Sequence, residues 1–442
     1  MTISEDIEGS SRASGLSFEV SGAIEYNTPD ARLGRLSIAG RNDIDTPNFF
    51  SISSRGVVPH LTPDVIGEHT QPGGVHIALE DFIERATIGT PPIMNVPGNA
   101  PLHTFTCLPT SFITLLAPRR TPAVIAPVGN TNTAISIFTS TGFQSLSNKA
   151  YVNYAEKLHP DIIIGLADVP HGTVPGVKRI GKMGDRTEGW LTELLASEHT
   201  KSAVFAPILP IEYHSQFEYL NNLDEFADKI RGLAFYDSNL LPDIPATTAV
   251  AQLPRLSLDE PSSPHEILRQ ISLGMDIFTI PFIGFATDAG IALDFQFPSP
   301  SKSSEVVSTG NGSTTKSLGV DMWSTEHSTS LDPLSVSCEC YACTTHHRSF
   351  IQHLLSAKEM LGWALLQIHN HYVLSKFFSS IREGIGRGTF EADCETFARY
   401  YETKLPEKSG QGPRVRGYQF KTEGPGERKK NQPGWRGDLE VA

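Results

Sequence analysis

Three cysteines and a histidine, spaced Cys338-x-Cys340-x-x-Cys343-x25-His369, are the residues of this chain best suited to chemistry. Thiolates and an imidazole are the ligands a tetrahedral zinc ion takes. Three of the chain's five cysteines fall within six residues. Four protein ligands would close the site, leaving no open position for water or substrate. One Zn2+ per chain would then hold the fold and do no chemistry. A disulfide framework fits less well. The cysteine count is odd, Cys338 and Cys340 are too close to bridge comfortably, and the N-terminus does not read as a secretory signal. Chemistry alone leaves the fourth ligand open among His346, His347, His353, His369 and His371. Cys107 and Cys394 read as lone thiols with a core or helix role.

The elements that must position such a cluster follow from hydropathy. Short apolar runs at 34–38, 123–127, 134–138, 161–165, 203–207, 231–235 and 276–280 read as strands. Amphipathic stretches at 148–158, 186–196 and 264–273 read as helices between them. Continuous apolar strands alternating with helices predict a parallel sheet with crossover helices. With 442 residues, an α/β chain of this kind predicts a closed (β/α)8, TIM-like barrel, with the cysteine cluster lying C-terminal to its strands. A doubly wound open sheet is the alternative, without a G-x-G-x-x-G turn to support it. After the cysteines, Phe350, Leu354, Ala357 and Leu361 predict one apolar helix face, and Leu374, Phe378, Ile381 and Ile385 a second. Gly384, Gly386 and Gly388 should weaken that helix. The expected organisation is a disordered N-terminus at 1–15 and a barrel body at 16–405. The body contains a flexible Ser/Thr/Gly-rich insertion at 300–318 and the zinc subdomain at 320–375. A basic, disordered tail follows at 406–442.

The formal net charge is −13, which argues against a generic nucleic-acid-coating protein. From Lys408 to Arg436 there are eight Lys and Arg against Glu423 and Glu427. Removing these from totals of 36 and 49 leaves 28 basic and 47 acidic residues, a formal −19. An acidic body therefore carries a basic tail, in which Arg414 and Arg416 beside Tyr418 and Phe420 resemble a weak RNA-clamping mix. The most apolar run, 277–287, is too short to span a bilayer. A soluble, reducing, cytoplasmic setting is expected.

The same residues resemble the tRNA-guanine transglycosylase family. The family's zinc site is C-x-C-x2-C followed by a histidine about 26 residues on, in a run like LLTIHN. Here LLQIHN places His369 at that position, 26 residues after Cys343. The resemblance thus selects His369 over the other four histidines. The stretch ARLGRLSIAGRNDIDTPNFFSISSRGVVPHLTP at 31–63 is similar to the family's opening. The match runs from about Phe18 to Leu405 and implies a (β/α)8 barrel with a zinc-binding subdomain.

Catalytic members attack the ribose carbon with an aspartate and use a second aspartate in proton transfer. This chain departs from them at both positions. Where they have DSGGFQ, it reads Thr139-Ser140-Thr141-Gly142-Phe143-Gln144. Where the nucleophile motif resembles GVDLFDCVxPTR, it reads Gly274-Met275-Asp276-Ile277-Phe278-Thr279-Ile280-Pro281. A threonine hydroxyl does not ionise near neutral pH. Asp276 sits an odd number of residues from Thr279, so a strand would point the two oppositely. A third, base-reading aspartate falls on Ala167, with Asp168 one residue late. The arginine-bearing run that helps hold tRNA is replaced by IGFATDAGIAL, and the GLAVGE loop is half kept at Gly232–Asp237.

The resemblance therefore implies no catalytic residue and no cofactor beyond zinc. It implies a non-catalytic subunit paired with a catalytic queuine tRNA-ribosyltransferase subunit and with tRNA. The pair would exchange guanine for queuine at the wobble position of GUN-anticodon tRNAs. A homodimer is the alternative assembly, and the family would allow peripheral association with the mitochondrial outer membrane. Two other readings stand beside it. One is a barrel enzyme with altered N-glycosidic chemistry, such as queuine nucleoside salvage, built on Asp168, Asp237 or Asp288. The other is a zinc-stabilised scaffold with another partner.

Overall fold

A computed structural model describes residues 15–21, 31–84, 89–170, 174–197, 201–245, 248–300 and 315–413. Nearly all of the expected N-terminal segment, residues 301–314 of the expected insertion, and the tail beyond Pro413 lie outside the described residues.

Eight parallel strands close a barrel: β1 (Asn48–Ile52), β2 (Gly74–Ala78), β3 (Ile113–Ala117), β4 (Ile162–Ile164), β5 (Ala203–Ile208), β6 (Gly232–Phe235), β7 (Arg255–Ser257) and β8 (Ile277–Thr279). Each pairs with its neighbours in chain order, and β8 pairs with β1 to shut the ring. The strands alternate their side chains between two apolar layers. Phe50, Leu115, Ile164, Phe205, Ala234, Leu256 and Ile277 fill the interior. Phe49, Ile163, Val204, Leu233 and Phe278 face outward into the helical layer. Burial on both faces is why these runs read as continuous apolar stretches.

Helices α1 (Pro63–His69), α2 (Pro101–Thr106), α3 (Asn148–Leu158), α4 (Val177–Leu195), α5 (Phe217–Glu225) and α6 (Pro264–Ser272) make crossovers. The start of α3 is fixed by Ser147, whose hydroxyl accepts from the Ala150 N–H. Between β6 and β7 the crossover is two short 3-10 turns, Ser238–Asp243 and Ala249–Gln252. Beyond β8 come α7 (Phe282–Ala289), α8 (Tyr341–Thr345), α9 (Arg348–Ser356), α10 (Met360–Arg387) and α11 (Phe390–Tyr400).

Three expected strands are not in the barrel. Residues 34–38 belong to an antiparallel sheet of Leu16–Ser21, Leu33–Ile38 and Ile44–Thr46. Leu36 and Ile44 from that sheet join the barrel's interior cluster, plugging the end where the strands begin. Two carboxylates tie the plug down. Asp276, just before β8, takes Arg32, and Asp161, just before β4, takes Arg41 at 2.9 Å. Residues 134–138 belong to a hairpin, Ala134–Thr139 with Gly142–Ser147, inserted between β3 and α3. The run 123–127 is not a strand. Pro122 and Pro127 bracket it and remove the N–H groups a ladder needs.

The helix expected across 350–361 is two helices. Lys358, with φ +58°, turns the chain between α9 and α10. Ile351, Leu354 and Leu355 are buried, and Ala357 and Leu361 are exposed. Helix α10 then runs unbroken past residue 375 and through Gly384 and Gly386. It ends at Gly388, whose left-handed conformation caps it.

Candidate metal centre and barrel mouth

Cys338, Cys340, Cys343 and His369 come together, with one ligand atom from each within 4.8 Å of the others. Cys340 caps the start of α8, and its sulfur accepts the Cys343 N–H at 3.4 Å. One helical turn therefore carries two thiols on one side. Cys338 approaches from the preceding loop, where Ser337 turns the backbone at φ +62°. The imidazole comes from the middle of α10 and is fully buried.

The His369 Nε2–H donates to the Leu293 carbonyl at 2.9 Å, leaving Nδ1 as the acceptor aimed at the sulfurs. Nδ1 lies 3.6, 3.5 and 3.4 Å from the sulfurs of Cys338, Cys340 and Cys343. Around a tetrahedral ion with bonds of about 2.3 Å to sulfur and about 2.0 Å to nitrogen, that separation would be about 3.5 Å. The donors thus fit a four-coordinate metal ion. Without a cation the thiols compete for protons. Hydrogen bonds from Cys338 and Cys343 push the Cys340 thiol far up, while those from Cys338 and Cys340 pull Cys343 far down. Next in sequence, Asn370 accepts from the Leu293 N–H and donates to Thr287 and to the Ile291 carbonyl. The strand Ile291–Leu293 is thereby clamped to α10. Gly290 precedes it with φ +79°, and a Cβ there would meet Trp323 Nε1 at 2.2 Å.

The other histidines do different work. The His346 ring stacks on Phe350 at 5.3 Å, and His347 Nδ1 accepts the Phe350 N–H at the start of α9. His371 faces away from the metal donors. It is buried and bonds Ser51 at 3.0 Å, joining α10 to the barrel. His371, one of the five candidate fourth ligands, is thus spent on the barrel and not on the metal donors.

At the strands' C-terminal ends, where barrels of this class work, a cavity of about 260 Å3 is lined by His76, Arg119, Ala167, Tyr236 and Glu260, among others. His76 is fully buried with no hydrogen-bond partner on either ring nitrogen, and desolvation lowers its pKa to about 4. Burial likewise pushes the Tyr236 phenol up to about 12. Arg119 is held by the Ser136 carbonyl and Asn130, both at 2.9 Å. No nucleophile paired with a base is found among these groups.

A family model described as queuine tRNA-ribosyltransferase matches residues 27–403. A Schizosaccharomyces pombe protein named queuine tRNA-ribosyltransferase accessory subunit 2 is 38% identical over 392 residues, 87% of this chain and 85% of that protein. A Xenopus laevis protein of the same name is 28% identical over 415 residues, 83% of this chain and 96% of that one. The chain belongs to the queuine tRNA-ribosyltransferase family.

The positions at which the resemblance implies carboxylates in catalytic members are Thr139, Ala167 and Thr279. Thr279 is the last residue of β8 and is fully buried, its hydroxyl donating to the Ser257 carbonyl at 3.2 Å. Asp276 is at the other end of that strand, about 10 Å away at about 3.3 Å per residue. Both its oxygens are bound by Arg32, and it also accepts the Arg255 N–H at 2.8 Å. Thr139 ends a hairpin strand, donating to the Gly142 carbonyl at 2.9 Å and bonded to Gln144 at 3.0 Å. Ala167 lines the mouth cavity. Its neighbour Asp168 is fully buried and bound to Arg179, Arg186 and Asn130. Asp237 caps the 3-10 turn after β6 through the Asn239 N–H. Asp288 lines a second cavity, bonded to His60 at 2.6 Å.

Sequence reasoning missed His76, Arg119 and His60. The signal for Arg119 was the apolar run ITLLA ending at Ala117, since residues just past a barrel strand reach the mouth. His60 and His76 carry no pattern that spacing could reveal.

Proposed function

We propose that this chain is the non-catalytic subunit of a heterodimeric queuine tRNA-ribosyltransferase. The enzyme exchanges guanine for queuine at the wobble position of GUN-anticodon tRNAs. The chain supports the catalytic subunit and helps hold tRNA. One structural Zn2+ sits between Cys338, Cys340, Cys343 and His369, fixing the subdomain that builds part of the dimer face. The relatives' printed name, accessory subunit 2, supports this reading.

The observation that carries it is Thr279, a neutral hydroxyl spent on a backbone carbonyl at the strand end where catalytic members have their nucleophile. The two aspartates nearest these positions in sequence, Asp276 and Asp168, are both bound by arginines. In this reading the protein works in the cytoplasm, and any contact with the mitochondrial outer membrane is peripheral. Among the described residues no helix is long and apolar enough to cross a membrane.

Native mass spectrometry of an equimolar mixture with the catalytic subunit tests the pairing. A one-to-one complex is expected, and persistence of separate species would overturn it. The same spectra of this chain alone distinguish a monomer from a homodimer.

A further inference from the structure

We propose that residues 414–436 contact RNA, delivered to the barrel mouth by the segment 401–413 that precedes them. The inference rests on the reading above that this chain helps hold tRNA, and names residues that do so.

After α11 the chain stays on the body and is anchored along its length. The Lys316 N–H donates to the Tyr400 carbonyl and the Lys316 carbonyl accepts the Glu402 N–H, both at 2.8 Å. His265, at the start of α6, bonds the Glu402 carbonyl through Nε2 at 2.8 Å. Farther on, the Ser409 hydroxyl donates to the Asp321 carboxylate. Lys358, in the turn between α9 and α10, donates to Gln411 at 2.9 Å. Gly410 lies so close to Trp323 that a Cβ there would overlap the indole. Gly412 then reaches α7, where a Cβ would stand 3.1 Å from the Asp288 carbonyl. Pro413 lines the second cavity together with Ile52, the last residue of β1, and Ile280, the residue after β8. The segment therefore runs from α6 across Asp321 and Trp323 to the C-terminal ends of the barrel strands.

The sequence that continues from there is cationic. Between Arg414 and Arg436 stand seven Lys and Arg against Glu423 and Glu427, on a chain of net charge −13. Cations gathered beside an acidic body attract a polyphosphate that the rest of the surface repels. Arg414, Arg416, Tyr418 and Phe420 fall on every second residue. An extended peptide with that spacing presents all four to one partner, guanidinium groups to phosphates and rings to unstacked bases. A lipid surface would use the cations but has no need of the barrel mouth. The mouth is where barrels of this class take their substrates.

Fluorescence anisotropy of a labelled GUN-anticodon tRNA reads this, titrated with the full-length chain premixed with the catalytic subunit at about 50 to 200 mM salt. Arg414→Gln with Arg416→Gln should flatten the slope of log affinity against log salt by about 1.4–1.8, for two phosphate contacts at about 0.7–0.9 each. Tyr418→Ser with Phe420→Ser should weaken binding about fivefold or more and leave the slope unchanged. Both pairs should leave complex formation, metal content and melting temperature as in the unaltered chain. Either pair binding tRNA as the unaltered chain does would overturn the proposal. So would a loss confined to anionic phosphatidylserine vesicles. A full-length mixture that binds tRNA no more tightly than the catalytic subunit alone would instead overturn the tRNA-holding reading beneath it.

Discussion

Thr279 is a buried, neutral hydroxyl at the end of β8, and Cys343 is a thiol gathered with three other metal donors. Restoring a carboxylate by Thr279→Asp should yield no base exchange by the isolated chain. The partner positions Thr139 and Ala167 remain neutral, and the new charge would be buried beside Ser257. A tRNA exchange assay on the purified variant checks this, and turnover above wild type would show that one residue was the whole deficit. Cys343→Ala should reduce bound metal from about one ion per chain to near zero. It should lower stability by several kcal/mol, because metal binding and folding of such sites are one free energy. Elemental analysis with thermal melts measures both. His76 gives a pH prediction. Its pKa falls from 6.5 to about 4 on burial, so the unfolded chain binds the proton more tightly. The stability contribution is fully present above pH 6.5 and is lost as pH falls from there toward 4. The limit is about 3 kcal/mol, at about 1.4 kcal/mol per pH unit. Urea titrations between those values should show a shallower pH slope in His76→Leu.

At the scale of elements, α10 carries the metal donor His369, the clamp Asn370 and the barrel contact His371 in consecutive positions. Three successive helix residues point in three directions, so one helix ties the metal cluster, the strand Ile291–Leu293 and the barrel together. Asn370→Leu should orphan the Leu293 N–H and the Thr287 hydroxyl and cost about 1–3 kcal/mol for each buried group left unpaired. Metal should still bind, since His369 keeps its bond to the Leu293 carbonyl. Melting temperature and metal content, measured together, separate the two effects. The barrel was legible because β4, β5, β6 and β8 are apolar on both faces. β7 was not, being three residues, Arg255–Ser257, too short for any period to register. β2 was hidden by Gly74 and His76, which break an otherwise apolar run. The antiparallel plug and hairpin looked like barrel strands because hydropathy reports burial and not strand direction. The metal donors were legible because their spacing is chemical. His60 and Asp288 were not, since their meeting depends on β1 and β8 closing the ring.

For the whole molecule, the parts kept and the parts changed are spatially separate. The strands' N-terminal ends retain a plug locked by Arg32–Asp276 and Arg41–Asp161, and the metal donors retain their geometry. At Thr139, Ala167 and Thr279, where the resemblance implies the carboxylates of catalytic members, the side chains are neutral. The account stands or falls on guanine exchange into a GUN-anticodon tRNA, measured with this chain alone, with the catalytic subunit alone, and with both. No exchange by this chain and a rise on mixing are predicted. Exchange by the isolated chain, or a mixture no more active than the catalytic subunit by itself, would contradict it.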